Sequence, residues 1–323
     1  MLWRAIAEGS PGPKWAGLFA EYWPAYKKWW LREGESARPT YRDCRRALVQ
    51  HMPEIVPHYD QLCALAGGGD LAARFLSFYC PPPYLSGCSQ AIWTGAEPVL
   101  VRNYDYDPAA FDCLILKTDW QGRRVMGTSD GVWGLVDGMN DAGLAISLTF
   151  GGRRVVGAGF GVPLILRYVL QTCTTTEQAG AALARIPCHM AYNVTVLDAQ
   201  RNYITAMLAP DRPAILTHAA VATNHQEQVD WISHARFTST VERERFLLHR
   251  LTLHRDPQEK FINAFLRAPL YSTAFASGFG TLYTAVYRPR LQEMEVRWPG
   301  TVWSLTMADQ WDTARHVKIP TPA

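Results

Sequence analysis

The chain has 323 residues, 48% of them hydrophobic and 19% charged, with a formal net charge of +3. This composition excludes a disordered or fibrous chain and fits one large or two ordinary globular domains. So small a charge gives no reason to expect a nucleic-acid partner. No run approaches about 18 consecutive apolar residues, so no membrane span is expected. The N-terminus, MLWRAIAEGSPGPKW, lacks a basic region followed by an apolar run, so no secretory signal is expected. Seven cysteines without a CxxC pair read as reduced thiols and a cytoplasmic protein. Twelve tryptophans point to aromatic packing or an apolar pocket.

Residues 1–80 read as helical. Residues 15–33 are rich in Ala, Leu, Trp and Tyr, with a kink expected at Pro24. Trp3, Trp23, Trp29 and Trp30 read as core or interface aromatics. Residues 40–50 and 71–79 space their apolar side chains as helices do. Cys80-Pro81-Pro82-Pro83-Tyr84 ends that character, because consecutive prolines lack amide donors and favour an extended connector. Between 86 and 150, short runs of β-branched and apolar residues alternate with Gly, Asp and Asn, the pattern of strands. The first two form a hairpin through Ala91-Ile92-Trp93 and Val99-Leu100-Val101, turning at Gly95-Ala96-Glu97-Pro98. Helices over 163–172 and 174–186 follow, the first opened by Pro163, the second with Thr174 and Glu177 at capping-box spacing. Strands are expected over 193–199, 202–209 and 220–225. A charged helix then starts with a second capping box, Ser239 and Glu242, and runs to about Leu253. Strands over 280–289, 293–298 and 301–306 close the chain. Grouped strands and helices argue for α+β, not an alternating α/β fold. Gly157-Ala158-Gly159-Phe160-Gly161 lacks the third glycine of the dinucleotide fingerprint, so no nucleotide is expected there.

The chemistry concentrates in Ser86-Gly87-Cys88-Ser89-Gln90 and Arg102-Asn103-Tyr104-Asp105. Arg102 and Asp105 follow Cys88 by 14 and 17 residues, the length at which a hairpin returns them beside it. A nearby cation lowers a thiol pKa and favours the nucleophilic thiolate. A carboxylate orients an ammonium or guanidinium group. The competing reading of the same residues is structural: Arg102 and Asp105 pair at a strand end, and Cys88 is a small buried apolar residue.

The run GCS…RNYDYDP resembles the start of the mature chain in cysteine N-terminal-nucleophile enzymes. These are the penicillin acyl-CoA acyltransferase family and, more distantly, the bile salt hydrolases and penicillin V acylases. Three further segments match in order. Asp137-Gly138-Met139-Asn140-Asp141-Ala142-Gly143-Leu144 resembles the family's DG-N-E-GL segment, Thr223-Asn224-His225 its TNH element, and Thr240-Val241-Glu242-Arg243 its S/T-x-x-R element. The resemblance implies a four-layer sandwich, helices outside and two antiparallel sheets inside. It implies autocatalytic cleavage between Gly87 and Cys88, so that a segment 1–87 stays bound to a catalytic core 88–323 as a self-derived heterodimer. The substrate it implies is a small acyl amide or acyl thioester, with no cofactor and no metal. The freed α-amine of Cys88, with an unperturbed pKa of about 7.7–8.0, would be the base for its own thiol. Asn224 would donate its side-chain amide to the oxyanion, Asp105 would hold the amine, and Arg102 and Arg243 would orient the site. Tyr104, Trp133, Thr149 and Phe150 are expected around the acyl pocket. The triple proline before Cys88 departs from the usual cleavage loop.

Two other classes compete: an unprocessed thiol hydrolase pairing Cys88 with His225 or His234, and a binding protein that kept the fold and lost the activity. Cys188-His189 is a poor dyad, since adjacent strand residues face opposite ways. His249 and His254 are five apart, not the four of a zinc helix. Asp105-Tyr106-Asp107-Pro108 lacks the glycine and distal glutamate of a calcium loop.

Overall fold

The computed structural model describes residues 1–84, 87–254, 256–309 and 311–319. In chain order it runs β1 (Leu2–Glu8), α1 (Pro13–Trp30), α2 (Tyr41–His51), α3 (Val56–Leu65), α4 (Asp70–Leu76), β2 (Gly87–Trp93), β3 (Val99–Tyr106), β4 (Leu114–Trp120), β5 (Arg123–Asp130), β6 (Gly134–Asn140) and β7 (Ala145–Phe150). It continues through α5 (Val162–Thr172), α6 (Thr176–Arg185), β8 (Tyr192–Leu197), β9 (Tyr203–Leu208), β10 (Ile215–Thr217), β11 (Val221–Ala222), α7 (Ile232–Phe237), α8 (Thr240–His249), α9 (Gln258–Ala264), β12 (Gly280–Arg288), β13 (Glu293–Trp298), β14 (Thr301–Thr306) and β15 (Thr313–His316). Ser86, placed with the first strand by the sequence, lies outside the described residues.

Among the described residues the strands form two sheets. One holds nine strands in the order β10-β9-β8-β7-β6-β5-β4-β1-β15; the other holds six, β11-β2-β3-β12-β13-β14. They stack face to face, with β2, β3 and β12 against β6, β7 and β8. The larger sheet is covered outside by α5 and α6, and α8 lies on β2 and β11 of the smaller. On that outer face Phe261, Ile262 and Phe265 bury Ala91, Val99, Val101 and Val286 in a core separate from the one between the sheets. The α+β sandwich expected from the resemblance is the observed fold.

The expected hairpin forms in register, with Gly87 opposite Asp105, Cys88 opposite Tyr104 and Gln90 opposite Arg102. Facing residues project to the same side and neighbours to opposite sides. Cys88, Gln90, Arg102 and Tyr104 therefore point between the sheets, and Ser89, Asn103 and Asp105 point out toward α8.

Several local expectations change. Residues 2–8 form a strand, not part of a helical segment. Trp3 and Ala5 are buried, and β1 pairs parallel to β4 and antiparallel to β15. Its partners lie a hundred and three hundred residues away in the chain, beyond any local periodicity. α1 continues through Pro24, with Trp15, Phe19 and Trp23 stacked at centroid separations of 5.3 Å along one face. The cap of α6 is Thr175, which accepts from the Gln178 N–H; Gln178 Oε1 reaches back to Thr174. Ser239 does not cap α8: it sits at φ 49° in the left-handed region and makes no side-chain cap hydrogen bond. β11 stops at Ala222, leaving Thr223-Asn224-His225 outside the strand.

Gly127 of β5 faces Gly138 of β6. A Cβ on Gly127 would stand 2.2 Å from Asp137 O and 2.7 Å from Gly138 Cα. Both are backbone atoms and cannot swing aside, so the two strands run side by side only with glycine there. Gly127→Ala is expected to lower the unfolding free energy by about 1–3 kcal/mol, read from urea unfolding followed by tryptophan fluorescence.

Candidate active site

The β2–β3 ribbon is gripped by one arginine on each face. On the inner face Arg102, fully buried, donates from Nη1 to Asp137 Oδ2 at 2.5 Å and from Nε to Leu148 O at 2.8 Å. Its Nη2 stands 3.3 Å from Cys88 Sγ, and its guanidinium lies over the Tyr104 ring at 4.5 Å. Asp137 is completed by Tyr283 OH at 2.7 Å and Tyr287 OH at 2.6 Å. On the outer face Arg243, reaching in from α8, donates from Nη1 to Cys88 O at 3.0 Å, Ser89 Oγ at 2.8 Å and Asp105 Oδ2 at 3.2 Å. Its Nη2 donates to Asn224 Oδ1 at 2.6 Å. Thr281 Oγ1 donates to the other oxygen of Asp105 at 2.7 Å. The Arg102–Asp105 ion pair of the competing reading is not how these charges pair: the residues face opposite ways and each has its own partner.

Cys88 N–H donates to Asn224 Oδ1 at 3.0 Å, and Asn224 Nδ2 donates to Phe150 O at 3.2 Å. A guanidinium and a peptide N–H can only donate, so the Asn224 atom between them must be the oxygen. In the intact chain, then, the Asn224 amide faces Phe150 O with one of its two N–H groups. Thr240 Oγ1 holds this segment, accepting from Asn224 N at 2.6 Å and donating to Thr223 Oγ1 at 2.8 Å. The left-handed turn at Ser239 delivers Thr240 and Arg243 together.

The remaining expected residues divide. Tyr104 belongs to the site, beneath Arg102. Phe150 is buried and contributes its carbonyl to Asn224, while its ring packs on Tyr192, Trp231 and His234. Thr149 is a brace: its hydroxyl donates to Thr223 O at 2.8 Å and accepts from Asn193 Nδ2 at 3.3 Å. Trp133 is core, its Nε1 donating to Leu76 O at 3.1 Å. None of the three lines the aromatic cavity of about 300 Å³ bounded by Tyr26, Trp29, Phe75, Tyr84, Tyr106 and Phe111. Tyr106 stacks on Tyr104 with centroids 5.7 Å apart, which puts that cavity beside the Cys88 hairpin. The sequence assigns no role to Ser89, Asp137, Thr240, Thr281, Tyr283 or Tyr287. Ser89, Asp137 and Thr240 lie inside the motifs, whereas the signal of Thr281, Tyr283 and Tyr287 is three-dimensional.

Electrostatically the intact site is quiet. Burial raises the Cys88 thiol pKa, against the pull of Arg102. Burial also raises Asp105, to about 6, against Arg243. His225 has Nδ1 3.0 Å from Thr240 Oγ1 and Nε2 3.2 Å from Glu244 Oε2, so both ring nitrogens already face partners. His234 lies flat against Trp231, and burial lowers its pKa to about 4. None of the seven cysteines is in a disulfide.

Two stacked sheets between helical layers, with a buried thiol at the start of an inner strand, define the class of the N-terminal-nucleophile hydrolase fold. Residues 93–303 match the family model described as acyl-coenzyme A:6-aminopenicillanic acid acyl-transferase. That is more than half of the chain, and the chain belongs to this family. The matched region contains Arg102, Asp105, Asn224 and Arg243, and begins just after Cys88. No curated protein matches the sequence. Among solved structures, a variant of the conjugated bile acid hydrolase of Clostridium perfringens superposes with a TM-score of 0.50 at 12% identity, covering 72% of this chain and 97% of that one. This likeness establishes the fold. The penicillin V acylase of Agrobacterium tumefaciens reaches a TM-score of 0.44 at 14% identity, over 68% of this chain and 86% of that one. The family is one of acyl-transfer enzymes. Among the described residues no helix is long and apolar enough to cross a membrane.

Two outcomes follow from the geometry. Asp137→Ala leaves the Arg102 guanidinium buried and unpaired, and is expected to cost about 3–5 kcal/mol of stability in urea unfolding at neutral pH. The second concerns His234, whose folded pKa lies below its unfolded value of about 6.5. Its stabilising contribution is present above the unfolded value and is lost as pH falls toward about 4. The melting temperature of the wild type should therefore fall more steeply between neutral pH and the mid-fours than that of His234→Phe.

Proposed function

We propose that this chain is an autoprocessing cysteine amidohydrolase or acyltransferase, with Cys88 as the nucleophile. In processing, Cys88 Sγ attacks the Gly87 carbonyl carbon. The C–N bond breaks, the nitrogen takes the thiol proton, and water hydrolyses the resulting thioester to free the Gly87 carboxylate and the Cys88 α-amine. In turnover that amine takes the thiol proton, Sγ attacks the substrate acyl carbon, and the amine or thiol leaving group departs protonated. Water, or an amine acceptor, then resolves the acyl-enzyme. The segment 1–87 would remain attached through β1.

One observation carries this reading: polar groups converge on the main chain of Cys88, at its nitrogen and its carbonyl. Asn224 Oδ1 accepts from that nitrogen, while Arg243 ties Asn224 Oδ1, Cys88 O and Asp105 together. A site built around a cysteine–histidine pair would orient an imidazole instead, and His225 is engaged with Thr240 and Glu244. Arg102, 3.3 Å from Sγ, is the cation that would favour a thiolate. A Cβ on Gly87 would fall 1.6 Å from Phe279 Cζ, so a larger residue before the bond would have to displace that ring. The role proposed for Asn224 in the intact chain is to position the nitrogen. An oxyanion role would fall to the second N–H of its amide, the one not bonded to Phe150 O.

Intact mass spectrometry of the wild type beside Cys88→Ala tests the proposal. Expected are two wild-type fragments divided before Cys88 and a whole variant chain that hydrolyses no acyl amide. A wild type that stays whole while turning over acyl amides would refute the autoprocessing; equal turnover by Cys88→Ala would refute the nucleophile.

A further inference from the structure

The aromatic cavity beside the Cys88 hairpin has one polar wall, and its hydrogen bonding does not balance. Asp112 and Asp130 both face it, with Tyr26 between them. Tyr26 OH lies 2.6 Å from Asp112 Oδ1 and 3.1 Å from Asp130 Oδ1, and accepts from Gly131 N–H at 2.8 Å. One hydroxyl carries one proton, so it satisfies one carboxylate at a time. Asp112 is 8% exposed, and its Oδ2 has no hydrogen-bond partner of good geometry, although the N–H groups of Gly131 and Val132 turn toward that carboxylate. Among the described residues neither acid forms an ion pair: Arg4, which reaches Tyr22, is paired with Glu21, and Arg102, whose charge Asp130 feels only at longer range, is paired with Asp137. Burial, and then the charge of Asp130, push Asp112 up to about 7; burial pushes Asp130 up to about 6. Two carboxylates brought together without a counter-charge are costly. The rings around them, Tyr22, Tyr26, Trp29, Tyr106 and Phe111, offer faces that attract a cation and bury an apolar body.

We propose that this cavity binds a protonated amine carried on an aromatic or apolar body, with the ammonium between Asp112 and Asp130 and the body against the rings. The volume, about 300 Å³, is at the small end of ligand sites. Its assignment as a substrate subsite rests on the catalytic reading of Cys88, since the two are joined by Tyr106 stacked on Tyr104, the residue opposite Cys88. An ammonium has no lone pair, so the nitrogen held here is not the one acylated or released at Cys88. The substrate is thus an acyl amide or thioester that carries a separate cationic amine.

Calorimetric titration of the full chain with phenethylamine, 2-phenylethanol and 3-phenylpropanoate tests the binding. The proteins are wild type, Cys88→Ala, Asp112→Asn and Asp130→Asn, each checked for a cooperative melt. Expected is amine binding of equal strength in wild type and Cys88→Ala, weaker by about tenfold or more in either aspartate variant and for the alcohol. If one aspartate variant does not fold, the other and the ligand series on wild type still decide. Alcohol or carboxylate binding as tightly as the amine, no amine binding, or unchanged amine affinity in the folded aspartate variants would overturn the proposal. Amine binding without any acyl turnover would leave this site standing and remove only the catalytic reading. Turnover indifferent to a cationic group would do the reverse.

Discussion

The buried ion pair between Arg102 and Asp137 is the constraint on which the site depends. It joins β3 of the smaller sheet to β6 of the larger, with both side chains fully buried. Removing two charges from water costs several kcal/mol per ion, and attraction offsets that only if the remaining donors and acceptors are satisfied. Here they are, by Leu148 O, Tyr283 and Tyr287. The pair fixes the spacing of the sheets at one point and the height of the guanidinium beside the Cys88 thiol. The glycines at 127 and 138 serve the same end, since close approach of β5 and β6 sets where Asp137 emerges.

The second arginine completes the arrangement from outside. Arg243 and Arg102 both only donate, so every group turned toward them must accept. That fixes the orientation of Asn224, of the Cys88 carbonyl and of Asp105 with little freedom. The result is a cysteine whose nitrogen, carbonyl and sulfur each have a defined neighbour. In the intact chain the nitrogen is a peptide amide whose lone pair is delocalised, so it is no base, and burial keeps the thiol protonated. Under the proposed reading, breaking one bond supplies the missing base.

Much of this was legible in the sequence. The hairpin length correctly brought Arg102 and Asp105 back to Cys88, and the segments at 137, 223 and 240 do converge on it. Strand periodicity even held a detail that the competing reading overlooked: Arg102 and Asp105 are an odd number of residues apart, so they cannot share a face. What stayed hidden depends on distant partners. The capping box at Ser239 fails because Thr240 is held by the turn that carries Asn224, and the interaction lies 16 residues away. Trp133 looked like a pocket residue because its sequence neighbours are strands, yet α4 covers it. The aromatic cavity is built from α1, α4 and the end of β3, elements that local pattern gives no reason to bring together.

The seating of β1 between β4 and β15 has a consequence for how the molecule is made. Leu2 lies opposite His316, and the N-terminal amine donates to Val317 O at 2.7 Å. β1 thus waits for a strand far later in the chain before its edge is closed. Contacts of such long range make folding slow, because loop closure precedes the gain from pairing. Until β15 arrives, a strand with Trp3 near its start stands without one neighbour, the kind of edge that recruits other chains. Closing that edge therefore depends on β15, a strand far from the chemistry it protects.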